Sequence, residues 1–434
     1  MDEIVVGRSS WIVLMTAHVH VVGAGLAGLS AAVRLADADV QVTVHEGAKF
    51  AGGRCRSFYD DDLEVVIDNG THLMLSGNRE VLDYAALIGG TENLQFSPRA
   101  AFDFMDLSTG RSWQLDLGIG QGALSLVPWM FDKSRQPPGF SIYQFVKDAQ
   151  RLKRGHGQNV SACLDTSTEL FRNFWEPMCV AVLNTSPDQG AAELLWRVIE
   201  KTVLKGGAFA RPVLASNGLG AALVEPALSF LQDCGAIINT NQRIQGLEFS
   251  GGKLNTLRFA DAGEVLGSGD RVILAVSHIH ASKLIDGLKI PMDSNAILNV
   301  HYKLDEAVAV PRMVGVVGGA CEWVQLRGQV ASVTVSNANA WMERDADLIA
   351  RQLWDEVVQV VGLQGDIPVY KIIKEKRATF AAMPEVNAQR PSTGTAYENL
   401  YLAGDWTNTG LPATIEGAVM SGRLAAETVL EDLN

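Results

Sequence analysis

The run Gly23-Ala-Gly25-Leu26-Ala27-Gly28 has the spacing of a turn that receives a pyrophosphate. The first glycine permits the turn, the second lets phosphate oxygens approach bare backbone, and the third lets the following helix pack closely on the preceding strand. His18–Val22 supplies a strand-like run and Leu29–Leu35 a helix-compatible one, whose N-terminal N–H groups and positive dipole end would face the anion. A second strand-like run, Val40–His45, ends at Glu46, 18 residues beyond Gly28, where a carboxylate can accept ribose hydroxyls. Strand, turn, helix, strand and carboxylate together read as a dinucleotide site.

Two further groups narrow the dinucleotide to one carrying a flavin. Gly53 and Arg54 end the run Ala51-Gly-Gly-Arg, and Arg54 is a fixed cation able to fork onto phosphate oxygens. Near the far end, Asn399–Leu402 reads as a buried strand leading into Gly404-Asp405, whose carboxylate can hold ribityl hydroxyls. The helix that follows, through Thr414 and Ile415, can present its N-terminus to the electron-rich pyrimidine edge of a flavin and stabilise negative charge on the reduced form. FAD is the expected cofactor.

These residues are far apart, so the elements that position them must converge from distant parts of the chain. The expected fold is α/β: a discontinuous Rossmann-type FAD-binding domain from 17–72, 212–282 and 393–434, with an α+β substrate-binding lobe from 73–211 and 283–392. A middle piece supports the division, with an apolar helix over Ala221–Leu231, strand-like Ile237-Ile238 and Arg243-Ile244, short strands around Ser250–Gly252, and a buried run Arg271–Val276. Residues 1–16, with apolar Ile4–Val6 and Trp11–Leu14, read as an extra strand or a disordered lead.

Composition removes several alternatives. Among 434 residues, 36 basic side chains face 49 acidic ones, a net charge of −13, so the chain lacks the basic footprint that nucleic acid requires. Five cysteines without a Cys-x-x-Cys suggest neither a disulfide framework nor a thiolate zinc cage. The eight histidines show no His-x-x-x-His spacing, and no metal is expected. The apolar stretch Trp11–Val33 is broken by two histidines and three glycines, a poor membrane span, and the acidic opening lacks the basic start of a signal peptide. The expected location is the cytoplasm, peripheral on the cytoplasmic face of the inner membrane.

Beyond the flavin motifs, the chain resembles the FAD superfamily of amine oxidases and carotenoid desaturases, and within it the hydroxysqualene dehydroxylase family. The resemblance rests on Gly52–Ser57, Asp68-Asn-Gly70-Thr71-His72 with Leu75–Asn78, Phe174–Pro177 with Ala181–Thr185, Glu375–Phe380 and Ala403–Gly417, and runs from about residue 18 to the end. It implies reductive removal of the hydroxyl of hydroxysqualene, with hydride from reduced flavin giving squalene. It also implies that Gly70 and Thr71 lie beside the flavin ring and that backbone near Ile244 meets the adenine. His72 is the expected acid for the departing oxygen, with Asn299, His301, Asn408 and Thr409 as alternatives; Asp68 is expected to fix local backbone. A desaturase or amine oxidase using oxidised FAD would share every flavin motif, and a non-enzymatic flavin protein would need the substrate tunnel closed. Electrons are expected from NAD(P)H directly or from a separate reductant.

The expected lobe is rich in aromatics, including Phe102, Phe104, Trp113, Trp129, Phe131, Phe140, Tyr143, Phe145, Phe171, Phe174 and Trp175. Singly these read as packing; together they suit a tunnel for a long apolar isoprenoid. Within 124–154 six cations face two anions beside Leu124–Phe131, so this acidic protein carries a local charge of +4 next to an apolar wedge. That composition suits a peripheral membrane contact, and equally a solvated basic face beside Trp129–Phe131 capping the lobe's core.

Overall fold

The computed structural model describes residues 17–260 and 262–433, so the strand or lead expected within 1–16 lies outside the described residues. Five parallel strands form the first sheet, in the order Ile237–Asn239, Gln41–His45, His18–Val22, Arg271–Leu274, Leu400–Leu402. Parallel strands bury both faces, which explains their apolar runs. Alternation then sorts the side chains. Val19, Val21, Ile273 and Tyr401 pack with the helices Leu26–Asp37 and Ile415–Leu433. Val22, Val272, Leu274, Leu400 and Leu402 pack with Leu254, Leu257 and Phe259 of a meander on the other face. That meander is antiparallel, built from Gly246–Ser250, Lys253–Arg258 and Gly263–Val265.

Two local expectations change. Arg243 and Ile244 are coil, not strand. The helix expected over Ala221–Leu231 begins as a widened π turn at Gly220–Val224 and becomes α only over Glu225–Asp233. Pro226 lacks the N–H that would bond to residue 222, so the preceding turn opens.

The second sheet hangs on one long strand, Ser294–Val317. It pairs antiparallel with Trp323–Val335 and with Tyr370–Phe380, and parallel with Ala101–Asp106, which pairs onward with Arg111–Asp116. A buried amide knot ties it to the helical layer: Asn184 Nδ2 donates to Thr379 Oγ1 at 2.9 Å, and Asn295 Nδ2 donates to the Asn184 carbonyl at 2.8 Å. Trp129, Phe140, Phe145, Phe174 and Trp175 form a ring-on-ring cluster within that layer, with the Trp175 indole donating to buried Asp148 at 3.0 Å. These aromatics therefore pack together, anchored by the amphipathic helix Ile142–Arg154.

Candidate functional site

A single cavity of about 980 Å³ runs from the parallel sheet into the lobe, at the upper end of the range for small-molecule sites. At one end lie Glu46 and Ile244. The Glu46 carboxylate takes one backbone N–H on each oxygen, from Ala24 and Ala48, both at 2.8 Å. Its remaining lone pairs suit a ribose diol. Gly23, Gly25, Leu26 and Ala27 follow along the wall, at the start of the helix Leu26–Asp37. Gly28 does not line the cavity. A Cβ there would lie 1.8 Å from the Gly23 carbonyl oxygen, so its role is the close helix–strand approach. At Gly25 a Cβ would meet no protein atom within 4 Å, which leaves bare backbone facing open space, the cradle a pyrophosphate needs.

Gly53, Arg54, Gly404 and Asp405 stand at the middle of the cavity. Arg54 Nη2 lies 2.8 Å from both Asp405 oxygens, and its other nitrogen donates to the Ala378 carbonyl. The pair bridges the two chain ends, and Asp405 holds the guanidinium firmly protonated. Thr414 and Ile415 place the start of the helix Ile415–Leu433 at the same cavity. Room at Gly25, a diol-binding carboxylate, a fixed cation and two helix N-termini make a donor set that fits FAD.

Gly70, Thr71 and His72 form the wall beyond, following the strand Val65–Asp68. Asp68 accepts from Ser57 Oγ at 2.5 Å, Leu219 N at 2.8 Å and Arg327 Nη1 at 2.6 Å, so its carboxylate is spent on holding backbone. Asn299 lines the cavity opposite, its Oδ1 accepting from Thr71 N at 3.3 Å and Thr334 Oγ1 at 3.0 Å, which leaves its amide N–H groups to the cavity. Of the alternatives, His301, Asn408 and Thr409 do not line it: His301 is tied to Ser332, Asn408 is exposed, and Thr409 accepts from Arg390. The lobe end is apolar and aromatic, with Phe102, Phe104, Phe174, Met178 and Val182. Trp323, which no motif marks, joins them from the long hairpin, tilted against Phe104.

The imidazole of His72 is not the charged acid expected from its position. Burial lowers its pKa to about 4, Asp68 opposing and Arg54 adding to the shift. At neutral pH it offers an N–H hydrogen bond and no spare proton. His301 is likewise lowered to about 4 by burial, with Asp68 opposing. Both titrate near 6.5 when unfolded, so between about pH 6.5 and 4 the unfolded chain binds protons that the folded chain refuses. Stability should be fully present above that window and fall as pH drops through it, with a contribution of about two protons from these residues. Urea midpoints from pH 7 to 4.5 measure this, and His301→Asn should flatten the slope by about one proton; an unchanged slope would contradict the assignment.

The model of the flavin containing amine oxidoreductase family matches residues 26–430. The chain is 41% identical over 420 residues to a hydroxysqualene dehydroxylase of Sinorhizobium fredii, covering 97% of this chain and 100% of that one. It is 40% identical to a hydroxysqualene dehydroxylase of Rhodopseudomonas palustris, covering 96% and 99%. Among solved structures, cyclohexylamine oxidase from Brevibacterium oxydans superposes with a TM-score of 0.68 at 14% identity, over 96% of this chain and 99% of that one.

Proposed function

The chain belongs to the flavin containing amine oxidoreductases and, within them, to the hydroxysqualene dehydroxylases, and from that membership we propose the reaction it performs. It is an FAD-dependent oxidoreductase that replaces the hydroxyl of hydroxysqualene by hydrogen, releasing squalene and water. The observation that carries this reading is the unbroken cavity, which joins a dinucleotide cradle to an apolar, aromatic end without a partition. An open cavity argues against a flavin protein without a substrate.

Reduced FAD supplies the hydride. The chain's own residues do the rest. Phe102, Phe104, Phe174 and Trp323 line the apolar end, where they exclude water and put aromatic rings beside positive charge that develops as the C–O bond breaks. His72 and the Asn299 amide, near neighbours across Gly70, are placed to donate hydrogen bonds to the departing oxygen. With a neutral His72, the proton that completes water enters through the oxygen's hydrogen-bond partners from solvent. Anaerobic single turnover with photoreduced enzyme tests the direction: squalene should form in step with flavin reoxidation. Turnover by oxidised flavin would establish the desaturase reading instead. In the same assay His72→Phe should keep its FAD and lose about 100-fold in rate; an undiminished rate would remove His72 from the site.

We also propose that the protein docks on an anionic bilayer to collect so insoluble a substrate. No helix among the described residues is long and apolar enough to cross a membrane. The wedge is Leu124 and Phe131, 85% and 74% exposed, with Val127 and Tyr143 beside them and Arg151, Lys153 and Arg154 exposed on the neighbouring helix. Trp129 does not belong to it. The indole is 1% exposed and donates to the Arg135 carbonyl at 2.8 Å, so it caps the aromatic core. A Leu124→Ser, Phe131→Ser, Arg151→Glu, Lys153→Glu variant should stay folded and cease to sediment with phosphatidylserine liposomes; sedimentation equal to wild type would end the proposal.

A further inference from the structure

Histidine spacing gives no metal motif, yet the fold assembles a histidine–carboxylate cluster at the Glu46 end of the cavity, behind its wall. Side chains two apart on a strand share a face, and His18 and His20 point to the side of the parallel sheet that the meander covers. His45, at the end of the adjacent strand, points the same way and stacks on Phe259 of the meander. Glu264 reaches over from the meander strand Gly263–Val265, and Asp270 from the turn before Arg271. His20 and His45 are each 1% exposed.

The hydrogen bonds around the two buried rings define what their inner nitrogens can be. His45 Nδ1 faces the Gln242 carbonyl oxygen at 2.6 Å, which places a proton on Nδ1 and leaves Nε2 a lone pair. His20 Nε2 stands 3.7 Å from the Asp270 carboxylate, beyond hydrogen-bond distance, and the negative charge there favours a proton on Nε2 and a lone pair on Nδ1. Those two inner nitrogens lie 3.2 Å apart. The Glu264 carboxylate stands 3.5 Å from His20 Nδ1 and 3.6 Å from His45 Nε2. Three electron-pair donors thus converge within 4.8 Å of one another, an arrangement that a cation satisfies. Ligands about 2.0–2.1 Å from a tetrahedral Zn²⁺ are about 3.3–3.4 Å from one another, close to the 3.2 Å between the ring nitrogens and to the 3.5 and 3.6 Å at which Glu264 Oε1 and Oε2 each face one ring.

We propose that His20 Nδ1, His45 Nε2 and a Glu264 oxygen bind a single structural divalent cation of the zinc type. Two imidazoles and one carboxylate suit Zn²⁺, with a water completing the tetrahedron from the exposed side of Glu264. Asp270 and Gln242 orient the two rings from behind, the arrangement that raises the basicity of ligating histidines. The ion clips the meander to the sheet directly beside Glu46, and takes no part in the redox chemistry.

The FAD-loaded protein, dialysed against EDTA and then given ZnCl₂ alone at pH 7.5, tests this. One zinc per chain should survive gel filtration, and the unfolding midpoint should rise by about 5 °C at large excess over Kd. Co²⁺ in its place should give the intense visible bands of tetrahedral cobalt. Glu264→Gln, a change on a half-exposed meander residue, should keep FAD and weaken zinc binding at least about 10-fold, and His45→Gln should abolish it. Wild-type protein that retains FAD yet holds no stoichiometric zinc and shows no shift in midpoint would overturn the proposal, because the cluster would then be closed by a shared proton. Zinc binding undiminished in Glu264→Gln and His45→Gln would place the ion elsewhere and overturn it equally.

Discussion

Gly25→Val should give a folded, colourless protein. The backbone at Gly25 is extended, with φ −75° and ψ 175°, a conformation valine adopts freely. No protein atom lies within 4 Å of the added Cβ, so the fold has no reason to object. The branched side chain instead occupies the space where the pyrophosphate must approach bare backbone, and FAD affinity should fall at least about 100-fold, or roughly 3 kcal/mol. Gly28→Ala is the contrasting control. Its Cβ would sit 1.8 Å from the Gly23 carbonyl oxygen, so that variant should lose fold and flavin together. Flavin absorbance against far-UV circular dichroism separates the two, and a yellow Gly25→Val protein would show that the phosphates lie elsewhere.

Arg390→Met should destabilise the protein although Arg390 lies outside every motif. The guanidinium is 6% exposed, stacks on Phe380 at 4.7 Å, and stays protonated although burial lowers its pKa to about 10. It donates to the Leu411 carbonyl at 2.8 Å and the Asp405 carbonyl at 3.1 Å, and also to the Thr407 carbonyl. One side chain therefore holds the whole loop that carries Asp405 to the helix at Ile415. Methionine fills similar volume and removes this donor from the Leu411 and Asp405 carbonyls, the Thr407 carbonyl keeping the Thr409 N–H, at a cost of about 3 kcal/mol after allowing for the charge no longer buried. The unfolding midpoint should fall by roughly 5 °C or more, with weaker FAD binding because Asp405 loses its support. Arg390→Lys should rescue little, since a single ammonium cannot span carbonyls that a planar fork reaches. A midpoint within about 1 °C of wild type would mean the loop stands without it.

The cofactor cradle was legible in the sequence because its chemistry is local. Gly23, Gly25 and Gly28 sit in one turn, Glu46 ends the next strand, and Gly404-Asp405 ends another, so strand ends and helix starts announce where anions and hydroxyls go. Gly70, Thr71, Thr414 and Ile415, which the family motifs mark, line the same cavity. Where the sequence left two readings open, the property at stake belonged to the surroundings. His72 lines the cavity where a proton donor would be wanted, and burial, which no single residue encodes, lowers its pKa to about 4 and leaves it a neutral N–H donor at pH 7. Trp129 reads equally as part of an exposed wedge or as a cap on the lobe's core, and helical geometry turns it inward while Leu124 and Phe131 remain outside.

What the sequence by itself determined is the class of cofactor, the fold and the family, since each depends on residues within a few positions of one another or on motifs that recur as units. Only the tertiary structure decided which aromatics reach the cavity, that Arg390 supports the Asp405 loop from 15 residues away, and that His20 and His45 meet Glu264. Those outcomes depend on contacts between strands and helices remote in the chain. Spacing along a sequence carries no information about them until packing of the sheet, the meander and the lobe sets which faces meet.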